Sequence, residues 1–309
     1  MAINRAQLVK ELEPGLNALF GLEYSKYQDE WKGIFDTESS DRAFEEEVML
    51  SGFGNAATKS EGSGFAYDTA QEVYTSRYNH ETVALGFALT EEAVEDNLYD
   101  KLSSRYTKAL ARSMSHTKNV KGAAVLNNAF NSAKAGGDGI ELIGIHTLLN
   151  GSTIQNEPNT AADLNETSLE NALIGISKFT DERGLKIAIK GQSLVVPTDL
   201  IFVAERVLNS AGSTVAGGTG DGTFAKNDLN ALSSMSVLPG GVAVNHFLTD
   251  VDAWFIKTDS PDGLKHFNRV GMKTGMEGDF ETGNVRFKAR ERYSFGWSDF
   301  RAVYGSPGA

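Results

Sequence analysis

The 309-residue chain contains no cysteine. That absence excludes disulfides, thiolate metal sites and thiol nucleophiles, and it fits synthesis inside a cell. Long hydrophobic runs are missing too. No segment approaches the roughly 20 apolar residues of a membrane-spanning helix, and the start MAINRAQLVKELEPG carries no apolar signal core. No membrane partner is expected. Positive charge is short as well: 29 Lys and Arg stand against 41 Asp and Glu, a formal net charge of -12. A dedicated nucleic-acid reader needs a basic footprint, so the balance argues against one. It does not argue against a protein that merely encloses nucleic acid.

Catalytic spacings are also lacking. The five histidines (His80, His116, His146, His246 and His266) form no HxH or HExxH pattern and read as surface or core-edge residues. There is no GxSxG elbow, and no Walker A lysine follows a glycine loop. GGTGDGTF, at 217–224, resembles a single calcium-repeat or phosphate loop. It stands unrepeated, with no strand before it and no helix start after it, and reads as a flexible loop. No catalytic residue, cofactor or metal ligand is expected, and the chain does not read as an enzyme.

What is there is a globular composition, 40% hydrophobic and 23% charged, long enough for one elaborate domain or two. Thirty-two glycines against six prolines promise many turns and close backbone approaches. The stretch SGFGNAATKSEGSGFAYDTA, at 51–70, cannot form a core, yet Phe53, Phe65 and Tyr67 are apolar bulk that a free loop would not expose. It lies between strand signals at 48–53 and 73–89, the second apolar at Val83, Leu85, Phe87 and Leu89. A long hairpin is predicted, anchored near 85–89 and projecting to a glycine-rich tip. Such a ribbon is unstable alone and needs a surface to lie on.

Residues 1–44 read as an arm with two short helices, 7–12 and 16–20, broken at Pro14-Gly15. Tyr24, Trp31 and Phe35 follow in a polar stretch with no sustained period. Either the arm caps the core or a neighbouring molecule supplies its partner face. After the hairpin, Thr90 is a good N-cap, and Glu91, Glu92, Glu95 and Asp96 suit the positive end of a helix dipole. Leu98, Leu102, Tyr106, Leu110 and Met114 recur every four residues along the longest predicted helix, to about residue 117. Further turns follow over 120–133, interrupted at Gly122. Lys101, Arg105, Lys108 and Arg112 form a basic stripe on another face. It reads as a solvated face, as a seat for a neighbour's Glu45-Glu46-Glu47, or as a contact for DNA phosphates. Beyond Gly136 come short elements: helices over 168–183 and 199–210, strand-like LKIAIKGQSLVVP, and strand candidates at 284–295 and 299–304.

This order of parts resembles the tailed-phage major capsid proteins of the Hong Kong 97-type fold. LVVPTDLIFVAERVLNS (194–210) is similar to the strand, Val-Pro, helix segment of Mu-like head subunits. LPGGVAVNHFLTDVDAWFIK, FKARERYSFGWSDFRAVYGSPG and IHTLLNGSTIQNE resemble that group's later strands and post-helix loop. The likeness covers about residues 45–309 by order of elements, and its local motifs lie after His146. It implies an α+β chain divided into an N-terminal arm (1–44), an extended loop hairpin (45–89), a peripheral domain (90–135 and 266–295) built on a spine helix, and an axial domain (136–265 and 296–309). Phe53, Lys59, Phe65 and Tyr67 would touch an adjacent subunit through the hairpin. Tyr24, Trp31 and Phe35 would do so through the arm, and Lys101, Arg105, Lys108 and Arg112 would face the lumen.

The implied function is an icosahedral head shell around double-stranded phage DNA, assembled in the host cytoplasm and residing in the virion. The implied partners are copies of the chain itself in pentamers and hexamers, a separate scaffolding protein, a portal and cement proteins. With about 45 residues before the hairpin, a fused scaffold is not expected. The founding member joins a hairpin lysine to a neighbour's asparagine; Lys59 and Asn284 are suggestively placed, but no motif supports that bond here. An encapsulin-type compartment and a soluble α/β enzyme are the alternatives.

Overall fold

A computed structural model describes residues 5–90, 99–212, 229–279 and 283–309, with side chains from residue 15 onward except at 99–102. In chain order the elements are α1 (Arg5–Tyr24), β1 (Asp36–Ser39), β2 (Phe44–Leu50), β3 (Glu72–Asn79), β4 (Glu81–Leu89), α2 (Tyr99–Asn127), β5 (Ile145–Thr147) and β6 (Thr153–Gln155). There follow α3 (Glu166–Ser177), β7 (Gly191–Val196), α4 (Ile201–Asn209), α5 (Ala231–Met235), β8 (Val242–Val244), β9 (Trp254–Thr258), β10 (Leu264–Gly278), β11 (Val285–Trp297) and β12 (Val303–Ser306).

Two four-stranded sheets carry the chain. The first runs β1-β10-β11-β4, with β1 parallel to β10 and the other pairs antiparallel. Along β11, Phe287, Ala289, Glu291 and Tyr293 are buried while Arg286, Lys288 and Arg290 are exposed. The period of two thus gives the sheet one covered face. Helices α1 and α2 cover it, bringing Leu16, Phe20, Leu110, Ala111 and Met114 onto Phe287 and Ala289.

The second sheet runs β12-β9-β7-β8. Helices α3 and α4 bury Leu169, Ile176, Ala204 and Val207 among Leu194, Val196, Trp254 and Ile256. Its other face, with Val195, Phe255 and Val303, meets Leu126 of α2 and the N-terminal Trp31, Ile34 and Phe35. Helix α3 begins in a capping box, Asn165 accepting from the Ser168 amide while Ser168 accepts from the Asn165 amide.

Three expectations change. The two short N-terminal helices are one, α1, which runs on through Pro14-Gly15. Proline costs a helix one hydrogen bond, and the burial of Leu16 and Phe20 on α2 offsets that loss. Gly122 does not interrupt α2: a Cβ there would stand 2.8 Å from the Cβ of Trp31, so the glycine admits the N-terminal segment. The 15-residue β10 went unpredicted. Register shifts at 268–270 and 270–273 break its alternation, which hides the strand from a period-two reading.

Candidate assembly surfaces

The predicted hairpin exists as β2 paired with β3, Phe44 opposite Asn79 and Glu47 opposite Ser76. The second strand ends at Asn79. After His80 the chain enters β4 and the first sheet. The two arms of the predicted 73–89 strand therefore serve different sheets.

Alternation along β2 turns Phe44, Glu46, Val48 and Leu50 to solvent and Glu45, Glu47 and Met49 inward. The inner face has a polar anchor. Lys265 of β10, almost fully buried, pairs with Glu47, with Glu38 at 3.0 Å and with Asp262 at 2.9 Å. Burial works against the Lys265 charge, but these three carboxylates outweigh it and hold the ammonium well above its ordinary range. Glu47 also accepts from the Ser298 hydroxyl, which meets the Tyr78 hydroxyl. The Tyr74 hydroxyl donates to the Ser298 carbonyl at 3.2 Å. The Tyr78 ring packs edge-on to Phe267 at 4.8 Å, and a Cβ at Gly296 would come within 2.7 Å of that ring. Sequence reading missed this anchor, because the Glu45-Glu46-Glu47 run conceals which carboxylate turns inward.

The tip, 51–71, is closed at its neck by Ser51: its amide donates to the Gln71 carbonyl at 2.9 Å. Gly52 and Gly62 take φ of +66° and +80°, which a side chain would strain. Farther out Asp68 accepts from the Gly54 amide at 2.8 Å and from Arg183 Nη2 at 2.8 and 2.9 Å. The amides of Gly54 and Thr69, then Arg183, lower the Asp68 pKa. Phe53, Phe65 and Tyr67 stay 62%, 74% and 95% exposed. Lys59 holds its ammonium 4.7 Å from the centre of the Phe65 ring. Asn284, immediately before β11, accepts the Asp279 amide through its carbonyl at 2.8 Å.

The arm residues find their partner face within the same chain. Trp31 and Phe35 are buried, in edge contact with Phe295 at 5.5 and 5.1 Å, and Trp31 lies 4.3 Å from the His266 ring. The Tyr24 hydroxyl donates to Glu291 at 3.0 Å, and Glu291 pairs with the buried Lys118 at 2.8 Å. Their spacing shows no period because Tyr24 ends α1 while Trp31 lies in a 3-10 turn at 30–33 and Phe35 just beyond it, and the partners come from α2, β10 and β11. No neighbouring molecule is required to bury Trp31 and Phe35.

On α2, Arg105, Lys108 and Arg112 are exposed on the side away from the sheet. None has an ion-pair partner among the described residues; the Lys101 side chain lies outside them. The carboxylates suggested as their seat are engaged at home, Glu45 with Ser40 at 2.6 Å, Glu46 with Arg77 at 3.7 Å and Glu47 with Lys265. The glycine-rich 217–224 loop also lies outside the described residues. Among those described, no group of three or more His, Asp or Glu is placed to hold a metal ion, and no helix is long and apolar enough to cross a membrane.

A projecting ribbon, a long helix across a sheet of two long strands, and a second sheet flanked by short helices make up the Hong Kong 97-type capsid fold. Solved structures share it. The virus-like particle from Pyrococcus furiosus superposes with a TM-score of 0.53 at 12% identity, over 94% of this chain and 97% of that one. The capsid of Myoviridae phage XM1 gives 0.53 at 12%, over 90% of each. The capsid of Cyanophage P-SCSP1u gives 0.54 at 10%, over 90% of this chain and 88% of that one. At such identities the likeness speaks for the fold. A search of the curated proteins finds no match.

The family follows from sequence. The profile of a family described as phage capsid protein matches residues 72–306, and the chain belongs to that family. It is a major capsid protein whose copies build the phage shell, which sets a cellular compartment aside as the less favoured reading.

Proposed function

We propose that this shell is an icosahedral phage head enclosing double-stranded DNA, with the subunits grouped in pentamers and hexamers. Assembly takes place in the host cytoplasm, together with a separate scaffolding protein, a portal and cement proteins. The role is structural rather than enzymatic. In this reading the hairpin is the arm that one subunit lays over the next. Residues 90–135 and 266–295 form the peripheral part of the tile, and 136–265 with 296–309 the axial part. The stripe of Arg105, Lys108 and Arg112 is a solvated helix face.

One observation carries the reading. The hairpin is anchored at its base by Lys265, Glu47, Ser298 and Tyr78, while Phe44, Val48, Leu50, Phe53, Phe65 and Tyr67 lie exposed along its outer face and tip. A ribbon held firmly at one end that offers apolar bulk at the other is suited to contact a neighbour, and such area stabilises an interface once covered.

Deletion of residues 54–64 tests it. No buried apolar residue is lost, so the subunit should keep its secondary structure and melt cooperatively while shells disappear from electron micrographs. Intact shells from the deletion would overturn the role given to the tip. Nuclease-protected DNA inside wild-type particles tests the enclosure separately.

A further inference from the structure

A sheet edge exposes a row of backbone N–H and C=O groups, and folded proteins keep such edges short, charged or covered. Three of the four edges of the two large sheets are short: β1 and β12 have four residues each and β8 has three. Strand β4, with nine residues, is the exception. It pairs with β11 on one side, and on the other no described strand joins it. From Thr82 to Ala88 it carries neither charge nor proline.

Both faces beside that edge are open. On the helix side Leu85 stays 47% exposed, and the exposed Tyr106 of α2 lies 5.7 Å from the Phe87 ring. On the opposite side β4 contributes Thr82, Ala84, Gly86 and Ala88, a low strip beside the cations of the next strands. There Lys288 lies between Gly275 and Gly86, and Arg290 between Lys273 and Ala84. Like charges opposed across two strands destabilise the pair, so Lys273 and Arg290 call for an anion. Among the described residues, Lys273, Lys288 and Arg290 have no carboxylate within ion-pair distance. Arg286, at the end of the row, pairs with Asp279.

We propose that β4 receives an added strand from a separate cement protein, an extended segment that alternates acidic and apolar residues. The inference rests on the reading above that a cement protein joins the shell. Successive side chains of an added strand point to opposite faces. One set would meet Leu85 and Tyr106 while the other faced Lys288 and Arg290. The new strand would stand about 9.6 Å from β11, two strand spacings away. A glutamate can meet Lys288 or Arg290 across that gap because only Gly86 and Ala84 lie between.

Other occupants fit less well. A phosphate backbone supplies anions but no amide donors, whereas a peptide strand offers donors and acceptors in register with the edge. The hairpin of a second copy presents Phe44, Glu46, Val48 and Leu50, and its one carboxylate already lies beside Arg77. The β4 of a second copy brings no carboxylate between Thr82 and Ala88.

The test uses unassembled full-length subunits and a labelled nine-residue peptide that alternates Val and Glu. Wild-type subunits should bind it, more weakly as salt rises, and amide exchange over 82–88 should slow on binding. Lys288→Gln/Arg290→Gln should weaken binding about tenfold, the worth of two cross-strand ion pairs. Ala84→Glu sets a carboxylate directly opposite Arg290. It should melt no lower than wild type and yet bind the peptide less tightly. The Arg105→Gln/Lys108→Gln/Arg112→Gln variant should bind as wild type does. No binding by the wild type, equal affinity across the variants, or loss confined to the helix variant overturns the inference. So does binding without slower exchange at 82–88, or equal binding of a Val/Lys peptide. A short DNA duplex that displaces the peptide better than unlabelled peptide does would assign the cations to nucleic acid instead. Loss of shells in Ala84→Glu would make the edge a contact between copies. Finished particles in which Lys288 cross-links only to copies of this chain overturn the cement reading and this inference with it. Failure of the peptide alone sinks the inference and leaves the cement reading standing.

Discussion

The layer built on the second sheet and the hairpin are held by opposite means. In the second-sheet layer Leu169, Ile176, Leu194, Val196, Trp254 and Ile256 are almost wholly removed from water. In the hairpin, 44–79, Tyr78 is the one buried apolar side chain among the described residues, and its position depends on hydroxyls and a buried ion pair. Burial of apolar area holds the first together without help from outside. The second keeps its apolar area exposed and its shape fixed, which suits the contact with a neighbouring subunit proposed above. In that proposal folding and assembly fall to different stretches of one chain.

The widest separation between the two regions should come from a pair of aromatic truncations. Trp254→Ala removes a fully buried ring and the indole hydrogen bond to the Ala162 carbonyl. It should cost about 3–5 kcal/mol and yield subunits that aggregate or melt far below wild type. Tyr67→Ala, at a 95% exposed site, should shift stability by less than about 0.5 kcal/mol and yet lower shell yield. Equal losses of stability in denaturant titrations would erase the distinction.

Next in size is the hairpin anchor. Lys265→Met leaves the inward Glu47 without its cation and should cost about 1–3 kcal/mol, the penalty of an uncompensated polar group. Proteolysis at 51–71 should quicken more than global unfolding does. A uniform rise in cleavage across the chain would mean that Lys265 serves the whole fold rather than the ribbon.

A pH effect distinguishes the body from the hairpin. Burial, then the nearby Lys118 and Lys32, pushes the His266 pKa down to about 3 from 6.5. Burial, then Arg292, lowers His80 as well. In both cases the unfolded chain takes up a proton that the fold refuses, so stability should be full above about 6.5 and decline as pH falls toward 3. His266→Gln should flatten that decline in unassembled subunits. Parallel curves for variant and wild type would count against His266 as a source.

The smallest effect should be at the tip latch. Arg183 and Asp68 are partly exposed, so Arg183→Ala should leave the melting temperature close to that of the wild type and act on the angle of the tip. A larger loss in thermal melts would show that the latch supports the layer of the second sheet.

Much was legible in the residues because it depends on local chemistry. Glycines between two β patterns, 52 to 64, marked a tip; the apolar stripe of the long helix marked its buried side at Leu110 and Met114, while Tyr106 of the same stripe stays 48% exposed. Other features were not. Glu45-Glu46-Glu47 reads as uniform charge, yet β pairing sends its members to three different partners. FKARERY reads as a final strand, while its cations become a ladder only once Phe287 and Ala289 are seen against α1 and α2.

Period, turn chemistry and composition are properties of neighbours along the chain, and from them the sequence determined that a hairpin, a long helix and a capsid-like order of elements exist. The tertiary structure decided which partners those elements take. It buried Trp31 and Phe35 at home, set Lys265 among three carboxylates, and left Lys273 facing Arg290. Those outcomes join residues hundreds of positions apart, and no local period records them.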